Sequence, residues 1–321
     1  MGGEGCPEGQ EEMQLPEDPS RAHGMPSVFD SRHVDIADVV RCRRIAEQHF
    51  DYEMSNDVDH IMKSMKSYEP MFTSLIVDPK SIDPRFLVPL PGISESGPGL
   101  TRCHTPDEQK AFYLESRKRM NIADAQLFTS VGSDWFAFIH LIVTMRSPSS
   151  GELTDCEALG LLPVTPDEET IAGEIGLTFP PYAKQGDAPG APALERASTL
   201  RVHLAWLDGL NSRDPEKMRS AYADGVIATI YNPLDGSVVE RGGAQSVASF
   251  YEDLFDAYPS VSVDVVMRII DRWYVFTELR WQVADGSGSQ SWFRTADIAV
   301  VNPDNKIVTH LGLGTKPVLI D

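Results

Sequence analysis

Hydrophobic and polar residues along this chain follow two periods, one typical of helices and one typical of strands. Helical spacing begins at about Val34 and continues for about five turns. A second helix is predicted where Asn56 or Asp57 can cap its N-terminus. A third is predicted after Thr105, which opens a Thr-x-x-Glu capping box. Between the second and third helices, the Pro- and Gly-rich residues 78–101 predict a long loop.

Strand-like alternation follows the third helix, and the order of elements then repeats. In the first half the alternating segments are residues 125–131, 133–145 and 169–179. In the second half, helices are predicted over residues 198–212, 213–223 and 243–258. The strands predicted after them are residues 262–270, 271–283, 291–301 and 305–314.

The two halves also align residue by residue. Rare residue types coincide without a gap: Phe112-Tyr113 with Phe250-Tyr251, Trp135 with Trp273, Phe138 with Phe276, and Leu141 with Leu279. An internal duplication explains this and predicts two tandem domains of fold class α+β. We expect a disordered acidic tail at residues 1–30, a first domain at 31–182, a linker at 183–195 and a second domain at 196–321.

The segment 271–281, DRWYVFTELRW, carries aromatic residues on both faces of a predicted strand. Its aligned segment SDWFAFIHLIV does the same and places His140 at the position of Glu278. A sheet covered on both sides explains the pattern, with one face against the helices and the other against the partner domain of an internal pseudo-dimer. The alternation leaves open which face holds His140 and Glu278. The neighbouring Arg280 favours the interface for Glu278.

Composition narrows the range of partners and compartments. The net charge of −20 argues against nucleic acid and against an anionic membrane surface. No apolar run approaches the ~20 residues needed to span a bilayer, and the N-terminal residues lack the basic and apolar parts of a signal peptide. We therefore expect a soluble, cytoplasmic protein.

Metal and cofactor sites have no support in the local spacing. The 4 cysteines lie far apart, and no HxH, HxxxH or HExxH motif occurs, so neither a disulfide framework nor a zinc motif is predicted. No nucleotide-binding glycine motif occurs either. We expect no metal and no organic cofactor, although spacing alone leaves open a metal held by His and acidic groups from different strands.

Several motifs accompany this order of elements. An Asp precedes the second helix of both halves, in NDVDHIMKSM and RDPEKMRSAYADGV, and the second half contains FYEDLFDAYPSVSVDV and RTADIAVVNPDNKIVTHLGLG. These features resemble the NTF2-like superfamily, specifically its SnoaL-like polyketide cyclase branch, over most of residues 197–315 and more weakly over 36–179. The resemblance implies cone-shaped domains in which three helices close one side of a curved antiparallel sheet around an apolar pocket. The first half departs from the pattern by the insertion at 78–101 and by lacking a recognisable last strand after Phe179.

The resemblance also implies which residues carry chemistry. Enzymes of this type use a carboxylate or a His in a dry pocket to move a proton on a hydrophobic substrate. Asp297 and His310 are the expected acid/base pair of the second domain, with Glu174 as the approximate counterpart of Asp297. His140 and His49 are further catalytic candidates, His49 because it aligns with Trp206 on an apolar helix face. The expected substrate-binding residues are Tyr231, Tyr222, Trp206, Glu278 and Trp292.

The functional hypothesis is a cofactor-independent acid/base enzyme: a lyase or dehydratase, an isomerase or a cyclase. Its expected substrate is a hydrophobic, aromatic or polyketide-like small molecule. Two alternatives stay open, since one fold serves many functions. One is a small-molecule-binding or scaffold protein without turnover, and the other is an epoxide-type hydrolase that activates water with a carboxylate. A homodimer is a further option.

Overall fold

The computed structural model describes residues 36–65, 71–76, 89–97, 100–119, 121–165, 169–179 and 195–320. The predicted tail at residues 1–30 lies outside these ranges, as does the predicted linker apart from Glu195. The domain limits given above therefore remain predictions. Within the described ranges the chain has the expected α+β structure, with two sheets that each pack against helices.

The first half contains three helices and seven strands in the described residues. The helices are α1 (Ile36–Met54), α2 (Val58–Ser64) and α3 (Pro106–Arg119). The strands are β1 (Met71–Ile76), β2 (Glu95–Gly97), β3 (Leu100–Cys103), β4 (Asn121–Gly132), β5 (Phe136–Arg146), β6 (Leu153–Pro163) and β7 (Gly173–Phe179). They form one sheet in the order β2-β3-β1-β7-β6-β5-β4.

The second half repeats this arrangement. Its helices are α4 (Arg196–Ser212), α5 (Pro215–Ala221) and α6 (Ala244–Ala257). Its strands are β8 (Tyr222–Asn232), β9 (Ser237–Gly242), β10 (Ser260–Ile270), β11 (Tyr274–Ala284), β12 (Gln290–Val301), β13 (Ile307–Gly314) and β14 (Val318–Leu319). The sheet order is β10-β11-β12-β13-β8-β9, and β14 pairs with β12.

The two sheets share one topology. Strands β4 to β7 form an antiparallel meander, as β10 to β13 do, and the last strand of each meander pairs in parallel with an earlier strand, β7 with β1 and β13 with β8. The expectation that the first half lacks a last strand is therefore wrong, because β7 is that strand. The loop predicted over 78–101 is also wrong in part, since β2 and the start of β3 lie there. The sequence pattern did not reveal β1, β6, β8 or β9.

The N-terminus of α2 confirms the predicted cap, and α5 has the equivalent one. Asp57 accepts a hydrogen bond from the backbone N–H of His60, and Asp214 accepts from those of Glu216 and Lys217. The residue before each cap is left-handed, with φ of 56° at Asn56 and 52° at Arg213. Such a backbone is uncommon for a residue other than glycine, so its presence at both places supports their equivalence.

The apolar core between the two sheets explains the aromatic residues on both faces of residues 271–281. Phe136 and Phe138 of β5 pack against Tyr274 and Phe276 of β11, and the rings of Phe138 and Phe276 are stacked with centroids 4.2 Å apart. The next residues along each strand, such as Ile139 and Leu279, point the other way, into the core beneath the helices. Alternation thus lets each central strand contribute to two cores.

Buried polar contacts also join the sheets. Glu278 accepts hydrogen bonds from Ser133 Oγ at 3.0 Å and from Trp135 Nε1 at 3.1 Å. Arg294 holds Asp134 through two hydrogen bonds of 2.6 and 2.9 Å and lies 3.4 Å from Glu278. Burial raises the pKa of Glu278, and Arg294 acts against that rise. These charges stay buried because each one has an opposite charge or a donor beside it.

Cys42, Cys103 and Cys156 are buried and free, as expected, and Cys6 lies outside the described residues. No helix within the described ranges is long and apolar enough to cross a membrane.

Candidate active site in the second domain

Asp297 and His310 form a buried pair on the helix-facing side of the second sheet. Asp297 lies on β12 and His310 on β13, two cross-strand pairs further along, since Ala299 is the residue opposite His310. His310 Nε2 is 3.0 Å from Asp297 Oδ1. The side chain of Asp297 is 10% exposed and that of His310 is 1% exposed. The carboxylate is thus the more exposed member of the pair.

Tyr222 and Trp206 support the far side of His310. The Tyr222 hydroxyl lies 2.8 Å from His310 Nδ1 and accepts a hydrogen bond of 2.8 Å from Trp206 Nε1. Tyr251 also hydrogen-bonds to this hydroxyl. Because Tyr222 already accepts from Trp206, its own proton goes to His310 Nδ1, which leaves the proton of a neutral imidazole on Nε2, directed at Asp297.

Burial keeps this donor protonated. It raises the pKa of Tyr222 well above that of an ordinary tyrosine, and the nearby Asp297 carboxylate adds to the rise. The Trp206 ring stands perpendicular to the His310 ring at a centroid distance of 5.2 Å. The imidazole therefore has one orientation and one tautomer, set by α4 and β8.

Thr295 and Trp281 hold the other oxygen of Asp297. Thr295 Oγ1 donates to Asp297 Oδ2 at 2.5 Å, and Trp281 Nε1 donates to Thr295 Oγ1 at 3.0 Å. Thr295 and Asp297 share a face of β12 because they are two residues apart. Each carboxylate oxygen thus has one donor and retains a lone pair for a further proton.

Two glycines on β13 make room for the site. A Cβ at Gly312 would lie 2.4 Å from Asp297 Oδ1, and one at Gly314 would lie 2.3 Å from the ring of Tyr231. Both glycines are on the same face of β13 as His310. They allow Asp297 and Tyr231 to lie side by side against the strand.

Tyr231 lies beside the pair but is hydrogen-bonded elsewhere. Its hydroxyl donates to the carbonyl oxygen of Thr315 at 2.8 Å. Its ring is packed between Gly314 and Phe293, with a centroid distance of 6.1 Å to the latter. The predicted role in binding a substrate oxygen requires this hydroxyl to leave Thr315.

His203 is a member of the site that the sequence pattern did not identify. It precedes Trp206 by one turn of α4, stacks on it at 5.5 Å, and lies 3.3 Å from Thr277 Oγ1 through Nε2. Burial and, to a smaller extent, the charge of Arg268 lower the pKa of His203 to about 3. The spacing of His203 and Trp206 on one helix face was the available signal.

Three residues predicted for catalysis or substrate binding lie on the other face of their strands. Glu278 contacts Ser133 and Trp135, as described above, and His140 contacts Tyr274 and Glu157 at 2.9 and 3.2 Å. Both are therefore at the interface between the sheets, which was the favoured interpretation for Glu278. Trp292 is one residue from Phe293 and three from Thr295, so alternation directs it away from Asp297.

The cross-strand pairs correct the position assigned to Glu174. Asp297 is opposite Gly312 in the second sheet, and Gly160 is opposite Gly176 in the first. Phe138 and Phe276, which align, lie opposite Leu161 and Ile298, so Gly160 is at the position of Asp297. Glu174, two residues before Gly176, is then at the position of His310, two residues before Gly312. The first domain thus has no carboxylate on β6 at the Asp297 position.

The first domain instead has its own cluster of His49, Glu53, Glu174 and Tyr113. His49 Nε2 lies 3.7 Å from Glu174 Oε2, to which the Tyr113 hydroxyl donates at 2.6 Å. Burial and, to a smaller extent, the Glu174 carboxylate raise the pKa of Glu53 to about 7. Burial alone lowers the pKa of His49, but the two carboxylates outweigh it and the pKa rises.

Comparison with known proteins identifies the second domain. Residues 204–310 match the family model of the SnoaL-like domain. These residues run from α4 into β13 and include both Asp297 and His310. The second half of the chain therefore contains a SnoaL-like domain with the NTF2-like fold, which confirms the resemblance there. This family comprises small-molecule-binding and catalytic domains. No functionally curated protein matches the chain.

Solved structures give low-identity matches. An LEH-like epoxide hydrolase from M. tuberculosis is 18% identical, with 37% of this chain and 84% of that chain covered and a TM-score of 0.31. IdmH, a putative polyketide cyclase from Streptomyces antibioticus, is 14% identical, with 36% and 91% covered and a TM-score of 0.32. A protein with a ketosteroid isomerase-like fold from Catenulispora acidiphila is 11% identical, with 36% and 85% covered and a TM-score of 0.32.

Proposed function

We propose that the second domain catalyses proton transfer on a hydrophobic small molecule, with Asp297 as general base and acid. The observation that carries this proposal is the Asp297–His310 pair, buried on the helix-facing side of the sheet with the carboxylate as its more exposed member. The reaction class is a lyase or dehydratase, an isomerase or a cyclase. Its substrate is an aromatic or polyketide-like compound with a carbon acid next to a carbonyl.

The hydrogen bonds around Asp297 suit this role. The carboxylate takes a proton from the substrate carbon on a free lone pair, and His310 and Thr295 hold it in place during the transfer. His310 acts here as a positioning residue, because both of its ring nitrogens are already hydrogen-bonded. General acid/base catalysis by one positioned group typically contributes a factor of about 10² to 10⁴ in rate.

The apolar and aromatic side chains on this side of the sheet support a hydrophobic substrate. Trp206, Trp281 and Phe293 are buried in the same core as Tyr222 and Tyr231, beneath α4 and α6. Rings of this kind pack well against flat, apolar ligands. The cytoplasmic location and the homodimer stay predictions.

The test is deuterium exchange in heavy water. The full chain is incubated with a panel of aromatic and polycyclic ketones, and mass spectrometry follows the exchange of hydrogen next to the carbonyl. We expect exchange with at least one member of the panel, reduced about 100-fold by Asp297→Asn with little change in the thermal midpoint. The matched control is Asp253→Asn, the same change at an exposed position on α6, which should leave the rate unchanged.

Each alternative function has its own outcome once epoxides are added to the panel and ligand binding is followed by calorimetry. Equal exchange by the wild type and Asp297→Asn would contradict the proposal. Conversion of an epoxide to a diol with oxygen from solvent would establish the hydrolase. Tight ligand binding by calorimetry, with neither exchange nor product, would establish a binding protein.

A further inference from the structure

The cluster around His49 in the first domain contains an unsatisfied buried nitrogen. His49 is on α1 and is 1% exposed. Its Nε2 is buried and has no hydrogen-bond partner. The nearest carboxylate oxygen, Glu174 Oε2, is 3.7 Å away, which is too long for a hydrogen bond. A buried polar atom of this kind is costly unless something binds it.

The other ring nitrogen determines the tautomer. His49 Nδ1 is 2.7 Å from Ser64 Oγ, and the Ser64 hydroxyl donates its own proton to the carbonyl of Ile61 at 2.6 Å. Ser64 is therefore the acceptor and Nδ1 carries the proton. Nε2 then faces the Glu174 carboxylate, and the position between them suits a positive charge, either the proton of an imidazolium or a metal ion that replaces that proton.

Two carboxylates complete the set. Glu53 follows His49 by one turn of α1, and Glu174 extends from β7. The ligand atoms of His49, Glu53 and Glu174 all lie within 4.8 Å of one another. Two atoms bound at about 2.1 Å to a tetrahedral ion are about 3.4 Å apart, so the 3.7 Å between His49 and Glu174 is close to the required spacing.

Neighbouring groups orient these ligands. Tyr113 donates to Glu174 Oε2 at 2.6 Å and Ser64 holds His49, as outer partners do at metal sites. Two carboxylates and a neutral imidazole carry a charge of about −2, and the guanidinium of Arg117, which contacts the Glu53 carbonyl oxygen, offsets part of it. The side chain of Glu174 is 14% exposed, which leaves a path for an ion.

We propose that His49, Glu53 and Glu174 form a binding site for a divalent transition-metal ion of the zinc type. One nitrogen and two carboxylate oxygens suit Zn²⁺, whereas Mg²⁺ and Ca²⁺ prefer oxygen ligands throughout. Three protein ligands leave one position for water or a ligand molecule. The ion joins α1 to β7, so its binding also stabilises the first domain.

A second cluster shows why the free nitrogen matters. His140, Glu157 and Asp271 are equally close together. However, Tyr274 and Glu157 already contact both nitrogens of His140, and Trp273 Nε1 donates to Glu157 Oε2 at 2.8 Å. The interface cluster is thus satisfied by protein groups, and of the two clusters it is the one around His49 that has a ring nitrogen without a hydrogen-bond partner.

The test uses the full chain without an affinity tag, freed of metal by a chelator and titrated with Zn²⁺ by calorimetry. We expect one ion per chain, a higher thermal midpoint with zinc, and no competition from equimolar Mg²⁺. Glu174→Gln and Glu53→Gln keep the side-chain shape, and each should weaken binding at least tenfold. Glu47→Gln, the same change at an exposed position on α1, should have no effect.

Three results would overturn the site. They are the absence of zinc binding up to about 1 mM, equal affinity in the wild type and both glutamine variants, and loss of binding only with His60→Ala, an exposed surface histidine. If circular dichroism shows that Glu174→Gln does not fold, the zinc affinity of Glu53→Gln decides, because Glu53 is only half-buried. The readout is binding, so its outcome is independent of the Asp297 chemistry in the second domain.

Discussion

Replacing Gly312 with alanine tests whether the Asp297 carboxylate is held in one place. The new Cβ would lie 2.4 Å from Asp297 Oδ1 and 3.4 Å from its Cγ. An ordinary contact needs at least about 3.2 Å, so the carboxylate must move by roughly 1 Å. Oδ1 is bound to His310 at 3.0 Å and Oδ2 to Thr295 at 2.5 Å, so the movement breaks at least one of these bonds.

The expected cost has two parts. Overpacking a well-filled core costs about 1–3 kcal/mol. Loss of a buried hydrogen bond to a charged group costs about 1.5–3 kcal/mol. Movement of the carboxylate relieves the overpacking but breaks the hydrogen bond, so the two costs do not add in full. We therefore expect the free energy of unfolding to fall by about 3 kcal/mol. At about 2–4 °C per kcal/mol, the thermal midpoint should fall by about 6–12 °C.

The assay is urea unfolding followed by circular dichroism, with thermal melting alongside. Gly242→Ala is the matched control, because no heavy atom lies within 4 Å of its Cβ and its φ is not positive. That variant should be neutral or more stable by up to about 1 kcal/mol, because alanine restricts the unfolded chain.

A double-mutant cycle locates the cause. In the background of Asp297→Ala the clashing carboxylate is absent, so Gly312→Ala should then cost less than about 1 kcal/mol. The reasoning is refuted if Gly312→Ala is as stable as Gly242→Ala. It is also refuted if the full cost persists without the carboxylate, because the clash would then be with the backbone.

Two further perturbations test other buried groups. His203, with a pKa of about 3 in the folded protein against 6.5 when unfolded, binds its proton only on unfolding, so stability should fall as the pH drops from 6.5 towards 3, by up to about 1.4 kcal/mol per pH unit. Urea unfolding between pH 7 and 4 should show this dependence of stability on pH in the wild type and a weaker dependence in His203→Gln. Equal dependence in the two proteins would contradict the lowered pKa of His203. Arg294→Ala leaves the buried Glu278 without its cation and should cost about 3–5 kcal/mol, measured by urea unfolding. Arg219→Ala, in an exposed ion pair, should leave the midpoint nearly unchanged, and an equally small effect of Arg294→Ala would show that the interface charges are solvated.

The alignment of the two halves predicted more than the individual motifs did. It placed His140 and Glu278 at equivalent positions, and both lie at the interface between the sheets. It also paired His49 with Trp206, and each of these side chains lies next to the residue on the last meander strand, Glu174 or His310. Each pair lies within a segment that has the same length in both halves, so the register is kept within that segment.

The prediction for Glu174 failed because the sequence pattern did not reveal β6. The segment of β7 was therefore matched with that of β12, whereas β7 is the equivalent of β13. Cross-strand pairing, which is a contact between distant segments, sets the true equivalence. The strands β1 and β8 were missed for a related reason, because each pairs in parallel with a strand far along the chain.

Local patterns in the sequence determined the helices, their Asp57 and Asp214 caps, and the strands with aromatic residues on both faces. Such features depend on neighbours within a few residues, and their periods of 3.6 and 2 can be read directly. The tertiary structure decided which face of β11 meets the first domain, and it brought Tyr222 and Trp206 to His310. It also placed His49 and Glu53 of α1 against Glu174 of β7. These contacts join residues that are far apart in the chain, and their geometry depends on strand register and sheet packing, which no local spacing encodes.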